Sequence, residues 1–98
     1  MIKTLMLFPK STDLKALEKE LENPGRQVRQ AHGFRSQRQS VGDIMSPMGP
    51  PPFSKVIETS FDSLEDVVAF GQSPAAQGSK DYLKDLGAIM LIYELSDS

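Results

Sequence analysis

The sequence predicts one α+β domain, spanning residues 1–98, in which the elements follow the order β-α-β-β-α-β. Three observations lead to this prediction. The chain has 98 residues, which is the length of a single domain. Apolar runs suited to strands stand at both ends, and an amphipathic stretch suited to a helix follows each of two strands. Apolar residues make up 39% and charged residues 24%, as in ordinary globular proteins.

The first half of the chain predicts a central strand, a helix and an edge strand. Ile2–Phe8 is apolar on both alternating faces, as in a strand that is covered on both sides. Residues 14–22 carry leucines at helical spacing behind the N-cap oxygens of Ser11, Thr12 and Asp13, and Asn23-Pro24-Gly25 is expected to stop this helix. A helical turn at residues 27–31 then precedes a polar edge strand over Phe34–Val41.

The second half begins with a long loop, Gly42–Pro52, which is rich in Gly, Pro and Met. Phe53–Phe61 is the third predicted strand, and Asp62 or Ser63 caps the next helix. Its buried stripe is predicted to be Leu64, Val67, Val68 and Gly71, and Ser73-Pro74 ends it. A short helix over Ser79–Leu86, with Tyr82, Leu83 and Leu86 inward and Gly87 at its end, leads into a last strand, Ala88–Leu95.

This order is the ferredoxin-like arrangement, a four-stranded antiparallel sheet with both helices on one face, because the crossovers are right-handed. The opposite face then carries unexplained apolar side chains, predicted to be Leu5, Leu7, Val56, Met90 and Ile92. Exposed apolar patches of this kind mark interfaces. A homodimer through the sheet face is therefore expected; the alternative is that the C-terminal residues or the Pro-rich loop fold over it.

The composition excludes several functional classes. The net charge is −2, whereas nucleic-acid binders carry a basic excess, so no nucleic-acid partner is expected. The chain has no cysteine, which excludes disulfides, thiolate chemistry and Cys-ligated zinc and suits the cytoplasm, the expected location. No apolar run is long enough for a membrane span. The first ten residues are interpreted as a strand and not a signal peptide.

Four stretches of the chain resemble the EthD family of dimeric α/β-barrel proteins: MIKTLMLFPK, GFRSQRQSVGDIMSP, FSKVIETSFDSLEDVVAFGQSP and IMLIYEL. The resemblance implies a ferredoxin-like subunit in a dimeric barrel. It also implies a catabolic enzyme or oxidoreductase-associated accessory protein that acts on a small apolar or oxygenated molecule without metal or bound cofactor. Typical relatives carry aromatic and histidine residues on the first helix. Here that helix reads DLKALEKELENPG, with no His, Tyr or Trp, so whether the protein is an enzyme stays open.

Polar candidates for a catalytic or binding role lie between the first helix and the Pro-rich loop. His32 is the only histidine and is the candidate acid or base, since its reference pKa is near 6.5. Asp43 is the carboxylate candidate and is expected to pair with a nearby arginine. Arg35 and Arg38 are candidates for binding an anionic part of the substrate. The alternative for these arginines is a solvated edge strand.

Apolar and buried-acid candidates complete the predicted site, which is expected around the sheet face and the Gly42–Pro52 loop. Met45, Met48 and Phe53 flank this loop and are predicted to close an apolar substrate pocket, or else to pack at the dimer rim. Glu58 is predicted to point to the interface face, together with Glu94, and to need a partner such as Lys3 or Arg35. Tyr93 is predicted on the helix-facing side.

Three functions are consistent with these features. The first is a small-molecule enzyme or catabolic accessory of the EthD type. The second is a non-catalytic module that binds a hydrophobic metabolite. The third is a structural or interaction protein whose sheet face is filled by side chains. A ligand-sized cavity favours the first two, and a filled interface favours the third.

Overall fold

Eight elements follow one another along residues 1–96, the part of the chain that the computed structural model describes. In chain order they are β1 Ile2–Pro9, α1 Leu14–Glu20, α2 Glu22–Arg29, β2 Phe34–Gln39, β3 Phe53–Phe61, α3 Leu64–Gly71, α4 Pro74–Leu86 and β4 Ile89–Glu94. No helix among them is long and apolar enough to cross a membrane.

The strands form one antiparallel sheet in the order β2-β3-β1-β4, which confirms the predicted ferredoxin-like α+β fold. The core lies between this sheet and the helices. Phe8 is fully buried and packs with Leu17 and Ile57, and a second cluster joins Ile2, Val28, Phe61 and Val67. All the strand residues in these clusters share one phase of the strand alternation, which therefore faces the helices.

The first helical region differs from its prediction. Asn23-Pro24-Gly25 does not stop the helix; after a break at Leu21 these residues form the first turn of α2. Proline is tolerated there because the amides of a helix's first turn have no intrahelical acceptor to lose. The helical turn predicted at residues 27–31 is the end of this same helix.

The second helical region also differs. Ser73-Pro74 begins α4 five residues before its predicted start, with the Ser73 hydroxyl capping the amide of Ala76 and proline at the first helical position. In α3, Val67 is buried and Phe70 packs against the core, whereas Leu64 and Val68 are exposed. Gly71 is exposed as well, so Val67 is the one residue of the predicted stripe that is buried. The inward packing of Tyr82, Leu83 and Leu86 is confirmed, and Gly87 ends α4 with φ +80°.

The phase of β4 is opposite to the prediction. Pairing with β1 puts Tyr93 beside Lys3 and Leu91 beside Leu5, away from the helices. Met90, Ile92 and Glu94 pair with inward residues of β1, so the predicted outward positions of these three side chains were wrong. Both faces of this strand are apolar, so alternation alone does not assign its phase, whereas the ladder does.

The sheet therefore has an uncovered apolar face, referred to below as the open sheet face. Its apolar residues come from three strands: Leu5, Leu7, Val56, Ile89, Leu91 and Tyr93. Every residue of β4 is exposed, on both faces and along its free edge. An apolar edge strand of this kind is a template for association.

Candidate functional site

A cleft of about 1130 Å³ separates the helices from the middle of the sheet. Its walls are mainly apolar. Met6, Ile57 and Phe61 form the floor, and Leu21 and Leu83 are among the helix residues facing them. Residues of both core clusters line it, Val28 and Phe61 from one and Leu17 and Ile57 from the other. It lies on the helix side of the sheet, and Gly42, the first residue of the Gly42–Pro52 loop, lines it. The pocket expected at the sheet face stays a prediction.

Three polar side chains converge in the apolar part of the cleft. Thr4 and Thr59 are cross-strand partners in the two central strands, and each is buried. Gln37 of β2 donates through Nε2 to Thr59 Oγ1 at 3.1 Å, which leaves the Thr59 hydroxyl hydrogen free to donate. The Thr4 hydroxyl makes no hydrogen bond to residues 1–96. Two hydroxyls are thus available to an oxygenated ligand.

His32 and Asp66 lie at a second site, a groove of about 540 Å³ between α2 and the α3–α4 junction. His32 Nδ1 is 2.8 Å from Asp66 Oδ1, and the Ser63 hydroxyl donates to Asp66 Oδ2 at 2.9 Å. The imidazole is almost fully exposed, whereas the Asp66 side chain is only 13% exposed. Phe70 lines both this groove and the cleft.

The paired charges shift both titrations. The hydrogen bond that His32 makes to the Asp66 carboxylate raises the pKa of His32 above its ordinary 6.5, and the same bond, together with the one that Ser63 donates, lowers the pKa of Asp66 below 3.8. With Nδ1 committed to Asp66, Nε2 is the nitrogen left to exchange a proton with a ligand. Glycine is required at position 33, since a Cβ there would lie 2.0 Å from Asp66 Oδ2.

The other charged candidates lie elsewhere. Arg35 forms an ion pair with Asp62, and Arg38 stands opposite Glu58 in the β2–β3 ladder, on the open sheet face. Glu58 accepts a hydrogen bond from Lys3 Nζ at 2.8 Å, so Lys3 is the partner that this carboxylate was expected to need. Both residues lie beside the apolar side chains of the open sheet face.

The loop candidates stay apart from the cleft. Asp43, Met45 and Met48 are exposed on the Gly42–Pro52 loop, and Asp43 forms no ion pair within residues 1–96. Phe53 begins β3 opposite Pro9. None of the eight predicted site residues lines the cleft as the structure describes it; His32 lines the groove. The same residues 1–96 contain no cluster of three or more His, Asp or Glu side chains able to hold a metal ion.

The polar groups of the cleft were missed by the sequence reading, although a signal for them exists. Thr4 and Thr59 are polar residues in the phase of the two central strands that faces the helices, a phase that also carries Lys55. A buried hydroxyl in such a position needs a partner, either from the protein or from a ligand. Gln37 carries no comparable signal, because its contact with Thr59 depends on the ladder between β2 and β3.

The fold and the cleft together define a ferredoxin-like α+β protein with room for a small molecule between helices and sheet. No protein-family model matches the chain, and no curated protein matches it in sequence. Among solved structures, an EthD family protein from Bacillus halodurans has 23% identity and a TM-score of 0.73, over 98% of this chain and 99% of that chain. The resemblance to EthD proteins is thus confirmed at the level of the fold.

Two further structures share the fold. A dimeric ferredoxin-like protein of unknown function from Jannaschia has 11% identity and a TM-score of 0.79, over 96% of this chain and 98% of that chain. SnoaB, a cofactor-independent oxygenase from Streptomyces nogalater, has 9% identity and a TM-score of 0.75, over 99% and 94% of the two chains. Such a fold supports many chemistries, so the reaction must be argued from the site.

Proposed function

We propose that this protein handles a small apolar or oxygenated organic molecule in the cleft and works as a homodimer through the open sheet face. The cleft of about 1130 Å³ is the observation that supports this most directly. Ligand sites are typically apolar hollows with a few convergent polar groups, and the cleft has this composition, with Thr4 and Thr59 supplying hydroxyls. The similarity of the fold to that of SnoaB, a cofactor-independent oxygenase, supports chemistry without metal or cofactor.

The homodimer is supported by the exposed apolar side chains of β4. Ile89 and Leu91 are 44% and 45% exposed on the open sheet face, where none of the helices α1 to α4 covers them. Packing two such faces about a two-fold axis buries both at once. We place Met45 and Met48 at the rim of this interface, since both are exposed on the loop that precedes β3. The substrate-binding roles of Arg35, Arg38, Phe53 and Glu58 stay predictions.

For the chemical step, we propose His32 as the acid or base. Asp66 orients its ring, so Nε2 points away from the protein, and Phe70 lines both the groove and the cleft. A proton transfer then requires that Phe70 rotate or that the ligand extend past it. The role of Asp43 stays a prediction, because it lies outside both spaces.

A second candidate function is a non-catalytic binding module. It is favoured by the position of His32, which does not line the cleft, and by the absence of His, Tyr and Trp from α1. The two candidates differ in the fate of the ligand. A His32→Ala variant that still binds a turned-over compound and no longer converts it supports the enzyme. If wild-type protein releases every compound that it binds chemically unchanged, the result supports the non-catalytic binding module.

Ligand binding in the cleft is tested with N-phenyl-1-naphthylamine, a neutral apolar dye that fluoresces when it leaves water. We expect wild-type protein to bind it and Met90→Trp, which fills one end of the cleft, to bind it weakly. Val68→Trp adds the same bulk on an exposed part of α3 outside the cleft and serves as the matched control. Equal binding by the two variants, or none by wild type, would refute the proposed site.

The dimer is tested by mass in solution, using light scattering. The mass of the wild-type protein in solution is expected to be twice the 10.8 kDa of one chain. Leu91→Lys would bury an unpaired charge in the interface, so we expect this variant to shift towards the monomer. Met90→Lys changes the next residue on the opposite face of the same strand and is expected to keep the dimer. A wild-type monomer at micromolar concentration contradicts the interface.

A further inference from the structure

We infer that the ligand of the cleft is an amphipathic organic anion, whose apolar body lies on the sheet and whose acidic head group binds Arg26 and Arg29. This inference rests on the proposed function of the cleft and names the class of molecule it takes. It follows from the distribution of charge among the side chains that line the cleft.

The lining of the cleft is cationic although the whole chain is acidic. The net charge of the protein is −2. The charged side chains that line the cleft comprise five bases and two acids: Arg26, Arg29, Lys55, Lys80, Lys84, Glu18 and Glu22. A hollow with low-dielectric walls concentrates the field of such charges and raises the local concentration of anions. A neutral ligand gains nothing from this arrangement, and a cation is repelled.

The cations lie on the two helices that border the cleft. Arg26 and Arg29 are three residues apart on α2, which puts them on one helix face, and Lys80 and Lys84 are four apart on α4, which packs against α2. The Arg29 side chain runs back along its helix, because its Nη1 lies 3.9 Å from the point where a Cβ on Gly25 would be. Gly25 itself lines the cleft, so this guanidinium lies at the cleft wall.

The two guanidinium groups have no carboxylate partner in the fold. The ion pairs within residues 1–96 join Lys3 to Glu58, His32 to Asp66 and Arg35 to Asp62, so neither Arg26 nor Arg29 is engaged. Lys55, by contrast, already donates to the Ser40 carbonyl oxygen at 3.0 Å. Arginine offers a planar fork of donors that fits a carboxylate, sulfonate or phosphate group.

The apolar floor determines the rest of the ligand. A small inorganic anion at the arginines would leave the apolar lining of the cleft, which includes the half-buried Met6, Leu21 and Leu83, without a ligand contact. A molecule with an apolar body fills this space and removes apolar surface from water. The hydroxyls of Thr4 and Thr59 then meet any oxygen atom carried along that body.

The test is displacement of N-phenyl-1-naphthylamine by ligands of equal chain length and different head group: decanoate, decanol and decyltrimethylammonium, each below its micellar concentration. Decanoate is expected to displace the dye at a concentration about tenfold lower than decanol, the value of one charge-assisted hydrogen bond at a partly exposed site. The ammonium compound is expected to be the weakest. The preference is expected to shrink as salt is raised, because the arginines are exposed.

The double variant Arg26→Gln/Arg29→Gln is expected to lose the preference for decanoate while it binds the dye and decanol as wild type does. Lys15→Gln/Lys19→Gln removes the same charge from α1 outside the cleft and is expected to retain the preference. The inference is overturned if decanoate and decanol bind wild type equally, or if the arginine variant keeps the preference. Dye that fails to bind wild type overturns the proposed cleft function itself, and this inference with it.

Discussion

Gly33→Ala is the substitution whose cost the structure specifies most closely. Gly33 has φ +80°, and a methyl group added there would lie 2.0 Å from Asp66 Oδ2, 2.3 Å from Asp66 Cγ and 2.9 Å from Asp66 Cβ. Asp66 cannot yield freely, because it holds both His32 and Ser63. The added methyl therefore displaces the carboxylate on which the His32 site depends.

Two contributions make up the expected loss of stability. A left-handed backbone costs a residue with a Cβ about 1–2 kcal/mol, and forcing a methyl into occupied space typically costs about 1–3 kcal/mol. Gly33→Ala is therefore expected to lower the free energy of unfolding by about 2–5 kcal/mol. Gly42→Ala is the matched control, since Gly42 has φ +73° and nothing within 4 Å of the added Cβ. Its expected cost is the backbone contribution alone.

Urea unfolding of both variants measures this difference, and NMR titration of the single histidine reports the site. In Gly33→Ala the pKa of His32 is expected to fall back towards its ordinary 6.5, because the Asp66 hydrogen bond that raises it is lost. In Gly42→Ala this pKa is expected to stay raised. Equal losses of stability in the two variants, with His32 unchanged in both, would refute the reasoning.

Two further predictions follow from the same contacts. The raised pKa of His32 means that its contribution to stability is fully present below pH 6.5 and is lost as the pH rises through that raised pKa, while the contribution of Asp66 is present above pH 3.8 and is lost in stronger acid. The difference in melting temperature between wild type and His32→Gln should therefore be largest between pH 3.8 and pH 6.5. A difference that stays constant up to pH 9 would contradict a stabilising ion pair between His32 and Asp66. Phe8→Ala removes the one large side chain that is fully buried among residues 1–96 and is expected to lower the free energy of unfolding in urea by about 3–5 kcal/mol, whereas Phe53→Ala, at a partly exposed position, should cost less. Equal costs would mean that the core is not centred on β1.

Local chemistry predicted much of the fold. Ile2–Phe8 and Phe53–Phe61 are strands because their β-branched and aromatic residues suit a pleated surface, and their bounds match the structure to within one residue. Asp13 and Ser63 cap helices as expected, since a side-chain oxygen next to free backbone amides acts within a few residues. The ferredoxin-like order followed from these elements and the handedness of crossovers.

The candidate site was less predictable, because its residues meet only through tertiary contacts. His32 was a candidate, but its partner Asp66 is 34 residues away and no spacing rule connects them. Gln37 reaches Thr59 across the β2–β3 ladder. Arg26 and Arg29 are three residues apart in the sequence, and only the packing of α2 against α4 places them in the lining of one cleft with Lys80 and Lys84.

The sequence by itself thus determined the order of the strands and helical regions, the capped starts of α1 and α3 and the presence of an apolar surface left over after folding. The tertiary structure decided the phase of β4, the side of the sheet on which the cleft lies and the pairing of His32 with Asp66. Both faces of β4 are apolar, so its orientation is chosen by the ladder with β1, which forms only when the two ends of the chain come together.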